Sequence, residues 1–372
     1  MASPVAPNDR IEAVDAVRGL ALFGVLMVNL VTEFRVSIFQ QFLGSTATVD
    51  ADRLVERIVS VGLESKAFCL FSLLFGVGLA IQFDRLFATG RPFYWLARRL
   101  AVLLALGLVQ LLLVWNGDIL TEYALAGFVV LPLLLLRRAA LIVVAASLLV
   151  LYAVGPVLYT VPWPDSATLQ AHVASANRVY STGNLAEVWR FSLGELPLLA
   201  SLHLWVFPRT LALFVFGILL WRTGFLRRAA EFTLPAILAA VLAVAAGAAL
   251  SATRVNDFLA PVLLALGYGA ALLVLAEHPL TQRWLSPFAP VGRMAFTNYL
   301  LQSIIFGFVF FGYGLGHFGR MGATAAFALG VAVYAGQVMF SQWWLRRFRF
   351  GPIEWLWRTL MYGACQPMAR IA

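Results

Sequence analysis

The sequence predicts an all-α, polytopic integral membrane protein of about ten transmembrane helices, with both termini cytoplasmic. Three observations carry that prediction. The 372 residues are 62% hydrophobic and only 12% charged, with a mean hydropathy of +0.86, more apolar surface than a soluble core of this size needs. The apolar residues come in runs of about 18 or more, the length that crosses a bilayer as a helix. The arginines are sorted by loop. With the N-terminus inside, seventeen of the 26 Arg fall on inner segments and seven on outer loops, while Arg209 and Arg293 lie within spans. That bias orients the chain.

The predicted spans are 15–33, 58–82, 99–115, 118–136, 139–160, 203–222, 232–252, 257–276, 292–312 and 322–344. Asp15 and Arg18 open the first span, so no uninterrupted apolar segment follows a basic start, and a cleavable signal peptide is not expected. The third and fourth spans meet at Asn116-Gly117, a tight-turn signal. They belong to a single membrane domain over 1–372. Its longest connection, 161–202, is predicted as an extracytoplasmic loop. Within it, Asn184 to Leu196 has apolar residues at helix-like spacing, suited to the membrane surface or to capping an outer cavity. Gly351-Pro352 stops the tenth span. Residues 345–372 read as a cytoplasmic interfacial tail, in which Glu354 and Arg358 are one helical turn apart and Trp355 and Trp357 suit the headgroup zone.

Net charge is +9, spread over many short loops. It is a topology signal, and nucleic-acid binding is not expected. Cys69 and Cys365 fit no metal or redox spacing, and no metal is expected. The four histidines, His172, His203, His278 and His317, fall in predicted loops or at helix ends.

Polar groups inside the apolar runs are the functional signal, because each is costly in hydrocarbon without a partner or a cavity. Arg18 and Asn29 are eleven residues apart, three helical turns, and share a face. Asp15 is one turn before Arg18 and suited to pair with it. Lys66, the only lysine, lies at the depth of Asn29 and is suited to act as a base or to pair with Glu64 or Glu33. Asp118 stands at an N-cap position and at the same depth. Gln110 interrupts the third span. Arg293 is level with Arg18, and the two are suited to hold the phosphates of an anionic donor. Asn298 and Gln302 share a face one turn apart. Each of these residues also has a packing role open to it: snorkelling, capping or interhelical hydrogen bonding. Gly76-Val77-Gly78 reads as close helix packing.

Several stretches together resemble a known family. Arg10-Ile11 through Asn29, centred on Val14-Asp15-Ala16-Val17-Arg18-Gly19-Leu20-Ala21-Leu22-Phe23-Gly24, looks like the opening of the YeiB-like bacterial membrane proteins, a domain family of unknown function. Leu70 to Gly78, Trp115 to Tyr123, Val291 to Gln302 and Phe348 to Arg358 match its other motifs in order. The chain is identified as a member on these motifs. The family is similar, at superfamily level, to transmembrane acyltransferases, among them the lysosomal heparan glucosaminide acetyltransferase and bacterial O-acyltransferases of surface glycans. The O-acyltransferases carry a catalytic His where this chain has Asn29. The lysosomal enzyme carries its His at the position of Gln40, and some YeiB-like members carry one at that of Gln110. An amide cannot serve as a general base at neutral pH.

The resemblance implies transfer of an acyl group from cytoplasmic acyl-CoA, as co-substrate, to an extracytoplasmic small-molecule, glycan or lipid acceptor. On that reading Arg18 and Arg293, with Asn298 and Gln302 on the same helix, form the donor side. Asn29, Lys66, Asp118 and Glu33 form the catalytic side, with Asn29 orienting the acceptor or stabilising an oxyanion. A transporter of a small metabolite or lipid, or a structural envelope protein, uses the same polar residues in other ways. The expected location is the bacterial inner membrane, in contact with lipids, with a homo-oligomer left open.

Overall fold

The structure, a computed structural model, describes residues 11–45, 47–158, 162–227, 233–253 and 258–370. Arg10, Val161, Arg228 and Arg254, used in the sequence reading, lie outside these residues. All the named elements are helical. In chain order they are α1 (Glu12–Asn29), α2 (Asp50–Gly62), α3 (Lys66–Phe87), α4 (Pro92–Val109), α5 (Leu120–Val130), α6 (Arg138–Leu158), α7 (Ser166–Thr182) and α8 (Leu185–Arg222). There follow α9 (Thr233–Thr253), α10 (Leu259–Glu277), α11 (Pro279–Leu285), α12 (Ala289–Arg293), α13 (Ala295–Phe310), α14 (Ala323–Arg347) and α15 (Pro352–Tyr362). Among the described residues, eight helices are long and apolar enough to cross a membrane. Two shorter apolar ones, Leu120–Leu135 and Ala295–Phe310, complete the predicted order. The protein is an all-α polytopic membrane protein.

Glycines set two of the closest helix crossings. A Cβ on Gly76 of α3 would stand 2.2 Å from the Phe214 carbonyl oxygen, and one on Gly217 of α8 would stand 2.2 Å from that of Leu73. Helices α3 and α8 therefore cross backbone to backbone, as small residues allow. Likewise Gly292 of α12 faces the Asp15 carbonyl oxygen of α1, where a Cβ would come within 1.9 Å. Two spans end in wider π turns, Leu30–Phe34 after α1 and Gln110–Val114 after α4. These turns break the i→i−4 ladder at the level where polar residues gather.

Two regions differ from the sequence reading. The second span does not run on from residue 58: α2 stops at Gly62, and Ser65, at φ +61°, turns the chain into α3. The described part of the predicted extracytoplasmic loop, 162–202, is mostly helix. Asp165 caps α7 through the Thr168 amide, which holds its carboxyl below the usual carboxylate range. A capping box of Asn184 and Glu187 starts α8, which then continues to Arg222 across Pro197 and Pro208. Buried Glu195 fastens this hairpin. It accepts from Asn116 Nδ2 at 2.9 Å and from the Tyr180 hydroxyl, and pairs with His172 Nε2 at 2.8 Å.

Candidate functional site

Two cavities enter the bundle from opposite ends. The first, about 270 Å³, opens where α1 begins, α3 ends and α15 docks. The second, about 570 Å³, opens where α1 ends and α3 begins. Ile119 and Tyr123 line both, so the two are separated by one turn of chain at the start of α5. Tyr123 is fixed in place. Its hydroxyl lies 2.7 Å from Ser72 Oγ and donates to the Phe68 carbonyl oxygen at 3.1 Å. Its ring meets Phe75 and Phe214 edge-on at 5.5 and 5.3 Å.

The first cavity is basic. Arg18, Arg99, Arg293 and Arg358 line it, against the carboxylates of Asp15 and Glu354. Asp15 pairs with Arg18 at 2.8 Å. Glu354 is used by the fold: it accepts from the Phe296 and Thr297 amides at 2.8 and 3.1 Å and from Thr297 Oγ1 at 2.5 Å. It thereby satisfies the first amides of α13. Burial raises the pKa of this carboxyl, while the Thr297 donors pull it back. Arg99 stacks on Trp357 at 4.1 Å, whose Nε1 donates to the Arg99 carbonyl oxygen at 3.0 Å. The tail, suited from its sequence to an interfacial anchor or to docking at the cytoplasmic mouth of the bundle, contributes Glu354, Trp357 and Arg358 to the cavity wall. Above the arginines the walls turn apolar, with Leu22, Val25, Leu74, Phe75 and Leu103.

The second cavity holds an imidazole–carboxylate pair. His203 Nδ1 donates to Glu122 Oε2 at 2.6 Å, and Thr210 Oγ1 donates to Glu122 Oε1 at 2.6 Å. His203 and Thr210 are seven residues apart on α8, two turns, so both reach the same carboxylate. Glu122 orients the ring through Nδ1, and in the neutral imidazole that leaves Nε2 as the acceptor. Arg209, 7% exposed, lines the same space and lies over the Tyr152 ring at 5.6 Å. Glu33 lies on the π turn after α1 and packs against Gly117, where a Cβ would meet its Oε2 at 2.7 Å. Glu64 enters from the α2–α3 junction.

The residues singled out from sequence separate into groups. Arg18 and Arg293 come together in the first cavity, and Glu33 lines the second. Asp118 adjoins the second cavity as a cap: its Oδ2 accepts from the Thr121 amide and hydroxyl, both at 2.8 Å, and its buried Oδ1 has no hydrogen-bond partner. Lys66, at the start of α3, donates to the Ser60 carbonyl oxygen at 3.2 Å. Asn29 is buried on α1 with its Oδ1 unpartnered. Neither Lys66 nor Asn29 lines either cavity. Asn298 and Gln302 tie α13 to α14. Asn298 Nδ2 donates to Ser341 Oγ at 3.0 Å, Gln302 Nε2 to Gln337 Oε1 at 2.8 Å, and Gln337 Nε2 back to the Asn298 carbonyl oxygen at 2.9 Å. They too lie outside both linings. Gln110 is fully buried at the start of its π turn.

Sequence reasoning missed His203, Glu122, Arg99 and Arg358 as site residues, and named Arg209 only for topology. His203 was placed at a helix end because the span was started there. In the structure it sits mid-way along a 38-residue helix. The signal available was its two-turn spacing to Thr210, with Arg209 beside it in an apolar run.

Comparison with known proteins places the chain. The family described as "Protein of unknown function (DUF418)" matches residues 213–364. The chain is similar to YxaH of Bacillus subtilis, described as uncharacterized, at 32% identity over 99% of this chain and 98% of that protein. It is similar to YeiB of Escherichia coli, also described as uncharacterized, at 29% identity over 96% and 98%. A 39.9 kDa protein of Bacillus acidopullulyticus is 27% identical over 98% and 97%. No solved structure matches. The chain belongs to the YeiB-like DUF418 family.

Proposed function

We propose that this DUF418-family protein sits in the bacterial inner membrane and transfers an acyl group from cytoplasmic acyl-CoA to an acceptor on the outer side. The observation that carries the reading is the pair of cavities meeting at Ile119 and Tyr123, with guanidinium groups in one and an imidazole–carboxylate pair in the other. The arginine bias of the loops puts the basic cavity on the cytoplasmic face. Its arginines suit the phosphates of a CoA thioester. Its apolar upper walls suit the pantetheine arm.

His203 Nε2 takes the proton of the acceptor hydroxyl or amine, and Glu122 stabilises the imidazolium that results. The acceptor atom attacks the thioester carbonyl carbon and forms the new C–O or C–N bond. The C–S bond breaks, its electron pair leaves on sulfur, and the proton held by His203 is returned to the thiolate or to solvent. Ile119 and Tyr123 mark where the carbonyl must stand to be reached from both sides.

Calorimetric titration of the detergent-purified protein with acetyl-CoA tests the donor side, with Arg18→Ala and Arg293→Ala as comparators. Saturable binding lost in both variants, followed by CoA release with an acceptor, is the expected result. Absence of binding and of CoA release with any glycan, lipid or amine acceptor overturns the reading. A second reading, transport of a small metabolite or lipid, is favoured by the thin partition, which is also the shape of alternating access. Accumulation of substrate in proteoliposomes without covalent change distinguishes it.

A further inference from the structure

The second cavity contains a buried cation with an unfilled hydrogen-bond donor. Arg209 is nine-tenths buried on a membrane-spanning helix, where an uncompensated charge is expensive. Its Nε has no hydrogen-bond partner. Among the described residues no carboxylate comes within ion-pair distance of its guanidinium. The ring of Tyr152 lies 5.6 Å from it, so cation–π attraction offsets part of the burial, and Glu122 stands within electrostatic reach. Glu122 is near, but one of its oxygens accepts from His203 and the other from Thr210. Glu33 and Glu64 also line the cavity, at the π turn after α1 and the α2–α3 junction. Arg209 therefore keeps a donor to offer an anion entering the cavity.

The rest of the lining says what carries that anion. Trp205 and Phe258 wall the cavity beside Arg209, with ring centroids 5.6 Å apart. At the rim, Phe42 and Trp163 stand edge-on at 4.8 Å, 48% and 38% exposed. Trp at that level prefers the headgroup zone. Leu204, between the lining residues His203 and Trp205, is 62% exposed on the lipid-facing side of α8. A polar floor beneath an apolar, aromatic throat bordering lipid fits an amphiphile with its headgroup inward and its chains in the bilayer.

We propose that the second cavity binds an anionic phospholipid by its headgroup, with the phosphate on Arg209, and that this lipid is the acyl acceptor. The last clause rests on the acyl-transfer reading; the binding itself does not. The headgroup's hydroxyl or amine then lies on the side of His203.

The test is lipid retention in native mass spectrometry, with no CoA present. Detergent-purified protein is equilibrated with an equimolar mixture of phosphatidylglycerol and phosphatidylcholine. The wild type should retain phosphatidylglycerol preferentially. Arg209→Gln should weaken that retention about tenfold, the loss of one charge-assisted contact, and Arg209→Lys should recover part of it. Trp163→Ala should lower lipid retention while leaving binding of free glycerol phosphate unchanged. Equal phosphatidylglycerol retention in a folded Arg209→Gln protein overturns the proposal. If that variant does not fold, competition by free glycerol phosphate in the wild type decides. Displacement at equal concentration overturns the lipid assignment, and resistance supports it. Lipid retention without CoA binding would sink the acyl-transfer reading and leave this one standing. CoA binding with no lipid preference would do the reverse.

Discussion

The two cavities hold similar numbers of ionisable groups and use them differently. In the first, the charges lie near one end of the bundle and are anchored to the fold: Arg18 to Asp15, Arg99 to Trp357, Glu354 to the start of α13. In the second, Arg209 lies buried within a spanning helix, where a charge cannot snorkel to water cheaply, while His203, a third exposed, faces the cavity. Topology and packing explain much of the first set. They explain little of the second, and a polar group that the fold does not require is the stronger pointer to function. The difference teaches that charges near the end of the bundle are a weaker signal than a buried one within a span.

Removing the deep pair should break the comparison most sharply. His203→Ala is expected to lower acyl transfer by about 10²–10⁴-fold, the range for loss of a general base. Glu122→Gln should lower it by less, because the imidazole remains but its tautomer is no longer fixed. Both should bind acetyl-CoA as the wild type does, read by calorimetry beside CoA release. A His203→Ala protein with wild-type turnover would remove the second cavity from the chemistry. At the other end the effect should fall on binding. Arg18→Ala and Arg293→Ala are each expected to weaken acetyl-CoA affinity by about tenfold or more, as for one charge-assisted phosphate contact. Unchanged affinity in both would reduce the basic cavity to a topology feature.

Much of this was legible in the sequence, and the gaps have physical causes. Apolar run length and arginine sorting gave the spans, since hydrocarbon thickness and leaflet charge act on composition directly. Arg18 and Arg293 were found because a charge inside an apolar run is conspicuous. His203 was lost because the apolar run was started at it, whereas α8 begins at Leu185 and continues through Pro197 and Pro208, as membrane helices do when neighbours satisfy the freed carbonyls. Glu354 was read as one half of a surface i,i+4 pair, yet it reaches across the fold to cap α13, a contact no local spacing reveals. Asn298 and Gln302 carried the right periodicity for a site, but only the packing of α14 shows that their amides are already engaged.

The tail gives a finer comparison, because its role is structural and titratable. Burial raises the Glu354 pKa in the folded protein, so folding favours its protonated form. The stability this contributes is fully present below the usual carboxylate range and is lost as pH rises toward the raised value. Thermal unfolding in detergent should therefore occur at lower temperature as pH climbs through that window, and Glu354→Gln should flatten the dependence. Glu354→Ala should cost about 1–3 kcal/mol by leaving the first amides of α13 unpaired. A pH profile identical in the wild type and the Gln variant would show that the carboxyl stays ionised.

The smallest effect expected is at the α13–α14 contact, and it separates packing from ligand binding most cleanly. Gln302→Ala removes a donor from a chain of interhelical hydrogen bonds, each worth about 0.6 kcal/mol in a bilayer and at most about 2. Its neighbours Asn298 and Gln337 remain bonded to each other, so the loss should stay near the lower figure. Calorimetry on the same protein should find acetyl-CoA affinity within about twofold of wild type, below the tenfold that a lost phosphate contact would give. A tenfold loss with unchanged stability would mean that α13 presents Gln302 to the donor after all. The boundary between the first cavity and the helix contact behind it would then have to move.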